Sequence, residues 1–198
     1  MALRPILNYP DPILRERSRE VTEFGDALKQ LVADMGDTMA DAEGAGLAAV
    51  QVGEPIRLFI VEGRVVKNRN KTREELNAEE DDDDAPDPDR DLPPVVFANP
   101  ELIELSDESQ SGDEGCLSFP GIFVPVKRSM RAKVRAQDVD GKPFELEGSA
   151  LFARALQHET DHLNARLLVD VVGPVKREII KRKMKKAANP RDDDDSEE

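Results

Sequence analysis

Apolar side chains near the N-terminus recur every three or four residues. This spacing predicts a helix over about residues 26–42, with one face toward a core. The side chains that set the spacing are Leu28, Leu31, Val32, Met35 and Met39. Farther along the chain, short apolar or alternating runs predict strands. We expect strands at residues 56–62, 95–98, 102–105, 122–126, 132–137 and 144–147.

The last two predicted strands flank the turn residues Asp140 and Gly141 and therefore predict a hairpin. A helix over about residues 149–163 follows, with Ser149 as its N-cap. A further helix over residues 174–188 begins at a proline. Because strands come first and a helix follows, we predict an α+β fold with antiparallel β-sheets around the central helix, and with a C-terminal helix.

The candidate chemistry is concentrated on that central helix. His158 and His162 are the only histidines in the chain, and they enclose Glu159 in an H-E-x-x-H pattern. A spacing of four residues on a helix puts both imidazoles on one side, where they can bind one divalent metal ion. The central helix is therefore predicted to be metal-binding. The alternative is a surface helix that carries two solvated histidines.

A catalytic metal ion usually has three protein ligands and one open position. The chain has no third histidine, and the glutamates downstream of the pattern lie among basic or tail residues. Cys116, the single cysteine, is therefore the candidate third ligand. Gly115 and Gly121 close to it allow a close backbone approach. The alternative is that Cys116 is a small buried apolar residue.

Three motifs resemble those of one enzyme family. Residues 44–51 read G-A-G-L-A-A-V-Q, similar to G-x-G-L-A-A-x-Q, and residues 114–118 read E-G-C-L-S. Residues 157–163 read Q-H-E-T-D-H-L, similar to Q-H-E-x-D-H-L. The three occur in the order found in bacterial-type peptide deformylases. The chain resembles that family from about residue 6 to residue 172.

The resemblance implies a metal-dependent hydrolase that removes the formyl group from the N-terminal N-formylmethionine of newly made polypeptides and releases formate. It implies Cys116, His158 and His162 as the metal ligands, with Fe²⁺ as the ion in the cell. By softness alone, a thiolate and two imidazoles also suit Zn²⁺, Co²⁺ or Ni²⁺. A metal-bound water would attack the formyl carbon, with Glu159 as general base and then as general acid.

Further residues are implied for the charge that develops on the formyl oxygen and for substrate binding. Gln51 can supply an amide N–H, and in the family this glutamine acts with the backbone N–H of the residue after the cysteine, here Leu117. Gly44, Ala45 and Gly46 are expected to lie along the substrate, since a Cβ at either glycine would narrow the approach. The alternative role of the two glycines is to end the preceding helix.

Glu114 has two interpretations: a carboxylate close to the metal, or a buried structural partner of a base. We favour the second interpretation, with Arg128 as the partner and Arg154 as a weaker alternative. Ala165 departs from the family, which commonly has glycine at this position. If the position requires a positive φ, the alanine is strained by about 1 kcal/mol.

Acidic residues are concentrated in two runs. The net charge of the chain is -14. Residues 79–91 and 192–198 together hold 15 of the 42 acidic side chains and one of the 28 basic side chains. The rest of the chain therefore has a formal net charge of zero. We expect residues 63–94, longer than the family usually has, to form a solvated loop. An acidic lid or partner site is the alternative. The predicted organisation is a catalytic domain at 1–172 with this insertion, then a basic helix and an acidic disordered tail at 173–198.

Basic side chains along the predicted C-terminal helix can neutralise RNA phosphates. They are Lys176, Arg177, Lys181, Arg182, Lys183, Lys185 and Lys186. Since nascent formyl-methionyl polypeptides emerge from the ribosome, this helix is a candidate ribosome contact. Pairing with the chain's own acidic tail is the alternative.

We expect no DNA partner and no membrane partner. The single cysteine excludes an intramolecular disulfide. The sequence shows neither an N-terminal apolar signal region nor an apolar run of about 18 residues. A cytoplasmic location is therefore expected.

Three other functions stay open at this point. A general H-E-x-x-H metallopeptidase would use a third ligand other than Cys116. A cysteine hydrolase would use Cys116 with His158 and no metal. A non-catalytic binding protein would bind its ligand and show no turnover.

Overall fold

A computed structural model describes residues 2–78, 89 and 92–188 of the chain. Its helices are α1 (Asp26–Asp41), α2 (Gly63–Lys67), α3 (Arg73–Ala78), α4 (Ala150–Leu163), α5 (Leu168–Val171) and α6 (Pro174–Ala188). Its strands are β1 (Gly46–Ala48), β2 (Leu58–Val61), β3 (Val95–Leu105), β4 (Ser109–Gly115), β5 (Phe123–Ser129), β6 (Arg131–Gln137) and β7 (Pro143–Ser149). Short 3-10 helices lie at Pro12–Arg15 and Ala49–Val52.

The strands form two antiparallel sheets. Five strands make one sheet in the order β1-β2-β3-β6-β7, and β4 pairs with β5 in a separate two-stranded sheet. Buried and exposed positions alternate along β5 and β6, because successive side chains of a strand point to opposite faces. The predicted α+β fold is confirmed, as is the hairpin, in which Gln137 of β6 pairs with Pro143 of β7.

Helix α4 lies between the two sheets. Phe152 is fully buried in the same core cluster as Phe59 and Phe97 of the five-stranded sheet. On the other side of α4, Arg154 donates to the backbone carbonyl of Val126 in β5 at 3.1 Å. Side chains from both sheets therefore meet on the surface of this one helix.

Helix α4 begins close to the predicted residue. Ser149 is its N-cap, but within the described residues its side chain makes no capping hydrogen bond to the helix. The Ser149 hydroxyl lies instead 3.3 Å from Oδ1 of Asn70. The predicted start is confirmed, whereas the capping bond is replaced by a contact with the segment before α3.

Strand β4 was not predicted, because its sequence S-Q-S-G-D-E-G contains no apolar residue. The side chains that it turns toward the protein are polar and have polar partners. Gln110 donates to the backbone carbonyl of Ala150 at 2.8 Å, and Glu114 accepts from Arg128 and Arg154. Hydrogen bonds here take the place of apolar packing, so no alternation of apolar residues marks the strand.

Strand β3 combines two strands that the sequence predicted separately at residues 95–98 and 102–105. Its register with β6 shifts between Ala98 and Glu101 and again between Leu102 and Glu104. Asn99, within the first shift, has a φ of 48°. A bulge absorbs extra residues without ending a strand. The residues between the two predicted strands therefore bend β3 and do not divide it.

The stretch that was expected to be a solvated loop is partly helical. Helices α2 and α3 occupy most of residues 63–78, and Val65, Val66 and Leu76 are buried in the main core cluster. The loop prediction is therefore wrong for this part, where a few apolar side chains suffice to fix two short helices. Residues 79–88, 90 and 91, most of the acidic run, lie outside the described residues, as does the predicted acidic tail at 192–198.

Helix α6 is confirmed over its predicted range. Its Ile180 and Met184 are buried in a cluster with Leu14 and Val169, so one face of the helix packs against the rest of the molecule. The division of the chain into 1–172 and 173–198 stays a prediction. No helix of the described chain combines the length and the apolar character that crossing a membrane requires.

Candidate metal centre

Cys116, His158 and His162, the three predicted metal ligands, come together in the structure. Each offers a ligand atom, and these atoms all lie within 4.8 Å of one another. The Sγ atom of Cys116 is 3.3 Å from Nε2 of His162, and the two imidazole centroids are 5.0 Å apart. A thiolate and two imidazoles that converge in this way form a donor set that suits a transition-metal ion.

Two elements position these ligands. Cys116 directly follows β4, in a tight turn where the Phe119 N–H donates to the Cys116 carbonyl at 2.8 Å. Both histidines lie on α4, with His162 almost completely buried. Burial lowers the pKa of His162, which favours the neutral imidazole that binds metals.

Glu114 fixes the orientation of His158. Oε2 of Glu114 lies 3.0 Å from Nδ1 of His158, and this contact leaves Nε2 of the ring available as a ligand atom. Burial acts to raise the pKa of Glu114, but hydrogen bonds from His158 and Arg128 outweigh it and hold that pKa well below its usual range. Glu114 is therefore an ionised partner of a candidate ligand.

Two arginines also donate hydrogen bonds to the carboxylate of Glu114. Nε and Nη2 of Arg128 donate to the two oxygens of Glu114 at 2.8 and 2.9 Å, and Nη1 of Arg154 donates to Oε1 at 2.8 Å. Arg128 also donates to Asp161 at 2.6 Å. Both partners considered for Glu114 thus bind it at once, and the carboxylate is close to a ligand as well.

Glu159 is buried beside the cluster. It is 4% exposed, and its Oε2 atom has no hydrogen-bond partner among the described residues. Burial is the main cause that raises the pKa of Glu159 to about 7. A Cβ placed on Gly46 would lie 2.5 Å from Oε1 of Glu159. Gly46 therefore leaves the space that this carboxyl group occupies.

The carboxamide of Gln51 also reaches the cluster. Its Oε1 accepts from the backbone N–H of Ala48 at 2.8 Å. Its Nε2 donates to Oγ of Ser118 at 3.1 Å and lies 3.7 Å from Sγ of Cys116. The sequence predicted an amide N–H at this site, and the structure brings one there.

The glycine motif packs against the turn that carries Cys116. A Cβ on Gly44 would lie 2.8 Å from Cδ1 of Leu117. Helix α1 ends at Asp41, and the left-handed residue after it is Glu43, with a φ of 52°. The Gly44 N–H donates to the carbonyl of Met39 at 2.9 Å, so Gly44 takes part in ending the helix although the positive φ does not fall on it. Ala45 is half-buried beside the main core cluster. A contact of these motif residues with substrate stays a prediction.

Sequence reasoning missed three residues that support the site. Ser118 binds Gln51, Asp161 binds Arg128 at 2.6 Å, and Gln157 makes two hydrogen bonds to the backbone of Ser129. All three lie inside the motifs that were recognised. Their position in those motifs could have marked them as candidate site residues. Their hydrogen-bond partners could not have been predicted, because the type of a polar residue does not show which group it will contact.

The sequence matches the family described as "Polypeptide deformylase" over residues 3–178. The peptide deformylase of Brucella suis is 39% identical over 96% of this chain and 97% of its own length. That of Bartonella henselae is 42% identical over 95% of this chain and 94% of its own length.

Solved structures give the same result. A peptide deformylase from Legionella pneumophila is similar with a TM-score of 0.76 and 37% identity, covering 94% of this chain and 96% of that one. The Ehrlichia chaffeensis enzyme in complex with actinonin is similar with a TM-score of 0.78 and 31% identity, covering 96% of this chain and 99% of that one. The similarity thus extends over almost the whole length in sequence and in fold.

Proposed function

Because this chain belongs to the polypeptide deformylase family, whose enzymes are metal-dependent and remove N-formyl groups from nascent peptides, we propose that it hydrolyses the formyl group of N-terminal formylmethionine on newly made polypeptides. The products are formate and a free methionyl amine. The observation that carries the proposal is the convergence of Cys116, His158 and His162 beside the buried Glu159. We place the activity in the cytoplasm, where such polypeptides are made.

A divalent metal ion fits the donor atoms. Cys116, His158 and His162 supply a thiolate and two imidazoles, and Glu114 holds Nδ1 of His158. When bound, the ion supplies Lewis acidity, which lowers the pKa of water and polarises a carbonyl oxygen. We propose Fe²⁺ as the ion in the cell, with Zn²⁺, Co²⁺ and Ni²⁺ as compatible replacements. Metal analysis after anaerobic purification identifies the ion.

Glu159 moves the proton. Its Oε2 atom is buried and has no partner among the described residues, which supports a role in accepting a proton from the attacking water. The water oxygen then bonds to the formyl carbon. Glu159 returns the proton to the amine nitrogen as the carbon–nitrogen bond breaks, and formate leaves.

Gln51 and Leu117 stabilise the charge that develops on the formyl oxygen. The Nε2 atom of Gln51 lies 3.7 Å from Sγ of Cys116, and this contact with a proposed metal ligand supports the role. The backbone N–H of Leu117, the residue after Cys116, is the second donor. Donors that are fixed in advance need no rearrangement when the charge appears.

The first test is formate release from a formyl-methionyl peptide by anaerobically purified protein loaded with Fe²⁺. In Glu159→Gln, turnover should fall by at least about a hundredfold, because general acid–base catalysis typically contributes that much or more. The metal content should stay at the wild-type value, since Glu159 is not among the proposed ligands.

The matched control is Glu20→Gln, which makes the same chemical change at an exposed residue and should leave turnover unchanged. Wild-type protein that holds its metal and releases no formate would contradict the proposed function. Turnover that survives removal of the metal by a chelator would favour a cysteine hydrolase instead.

We further propose that α6 contacts ribosomal RNA. Ile180 and Met184 face the core, which leaves a basic surface outward. Its exposed bases are Lys176, Arg182, Lys183, Lys185 and Lys186. Neutralising three of them should weaken co-sedimentation with ribosomes and reduce its dependence on salt, since each phosphate contact releases counterions.

The variant for this test replaces Arg182, Lys183 and Lys185 with glutamine. Its control changes the charge equally at three exposed bases elsewhere, namely Arg17, Lys127 and Lys142. Equal co-sedimentation of the two triple variants and the wild type would refute the RNA contact.

A further inference from the structure

The carboxamide of Gln51 is held at both of its ends. Oε1 accepts from the Ala48 N–H at 2.8 Å, and one N–H of Nε2 donates to Oγ of Ser118 at 3.1 Å. These two contacts distinguish the oxygen from the nitrogen and fix the plane of the amide. The second N–H of Nε2 is directed at Cys116 and makes a weak hydrogen bond to Sγ at 3.7 Å.

Ser118 itself cannot move freely. It is completely buried, and its backbone carbonyl accepts from the Tyr9 N–H at 3.0 Å. Two residues earlier in the same N-terminal segment, the Leu7 N–H donates to the carbonyl of Gln51 at 2.8 Å. One short segment therefore ties the backbone of Gln51 to that of Ser118. The Tyr9 ring also stacks on Phe119, with 5.1 Å between the ring centroids.

We propose that Ser118 is a positioning residue for the reaction. Its hydroxyl accepts one N–H of Gln51 and thereby directs the other toward the place of the formyl oxygen beside Cys116. This inference rests on the proposed function, because it assigns Ser118 to the Gln51 donor of that reaction. Ser118 does not touch the substrate; it acts through Gln51.

The terminal torsion of a glutamine side chain is broad and has no sharp staggered minima. One hydrogen bond at Oε1 leaves the amide free to swing about that contact, whereas a second bond at Nε2 removes the freedom. A donor that is already aimed stabilises developing charge better than one that must be ordered during the reaction.

A double-mutant cycle tests the proposal on Fe²⁺-loaded protein. Ser118→Ala should lower kcat about tenfold and leave KM unchanged, since losing one hydrogen bond to a polar group has about this effect. In a Gln51→Ala background the same substitution should lower kcat less than about twofold, because residues that act through one contact are not additive. Ser18→Ala is the matched control, since Ser18 is buried and its Oγ has no partner among the described residues.

A spectroscopic measurement separates this inference from the proposed function. In ¹⁵N-labelled, zinc-loaded protein, the side-chain amide signals of Gln51 are identified by their loss in Gln51→Ala. Ser118→Ala should shift these signals, whereas Ser18→Ala should not. If wild-type protein releases no formate, the proposed function fails, and the amide signals still decide whether Ser118 orients Gln51.

Four results would overturn the proposal. Three of them are an unchanged kcat in Ser118→Ala, an equal loss of kcat in the wild-type and Gln51→Ala backgrounds, and unshifted amide signals. Loss of metal from Ser118→Ala would also overturn it, because Ser118 would then support Cys116 rather than Gln51.

Discussion

Ala165 is an alanine at a position whose backbone conformation favours glycine. It follows the end of α4 with a φ of 59°, and its N–H donates to the carbonyl of His162 at 3.1 Å. The sequence left open whether this position needs a positive φ, and the structure shows that it does. The left-handed conformation costs alanine about 1 kcal/mol.

Ala165→Gly should therefore stabilise the protein by up to about 1 kcal/mol, because glycine has no Cβ to strain this conformation. Chemical denaturation measures the change as a shift of the midpoint at constant slope. The control Ala33→Gly, at an exposed position in the middle of α1, should destabilise by about 0.5–1 kcal/mol. The same sign of effect at both positions would contradict the assignment of strain to Ala165.

At the scale of elements, β4, β5 and α4 are joined through one buried carboxylate. Glu114 of β4 accepts from Arg128 of β5 and from Arg154 of α4, and it contacts His158 on the same helix. These contacts link the strand that precedes Cys116 to the helix that carries both histidines. The geometry of the candidate metal centre therefore depends on polar contacts between elements as well as on the apolar core.

Glu114→Gln should weaken metal binding, because a partner that orients a ligating histidine commonly contributes about tenfold to a hundredfold in affinity. Competition for Zn²⁺ with a coloured chelator measures the change. The free energy of unfolding should also fall, because Arg128 and Arg154 would then contact a neutral side chain. The control Glu145→Gln removes a carboxylate that pairs with Lys133 and Arg135 away from the site. Wild-type affinity in a folded Glu114→Gln protein would exclude the role in orienting His158.

At the scale of the whole molecule, periodicity predicted elements better than it predicted their connections. The apolar spacing of α1 and α4 was sufficient to place both helices to within about one residue. Apolar periodicity missed β4. The side chains that β4 turns inward include Glu114, and their hydrogen-bond partners come from other elements. For the site, local spacing identified His158 and His162. The contact of Gln51 with Ser118 depends on residues 67 positions apart, and such a pairing is a property of the folded chain.

Translation brings the parts of this arrangement out one after another. Leu7 and Tyr9 precede their backbone partners, Gln51 and Ser118, by 44 and 109 positions. The candidate metal ligands are separated as well, because His162 lies 46 positions after Cys116. A growing chain therefore holds all three candidate ligands only after α4 has been translated. A copy that stops before this helix would lack the candidate metal centre and, with it, the proposed activity.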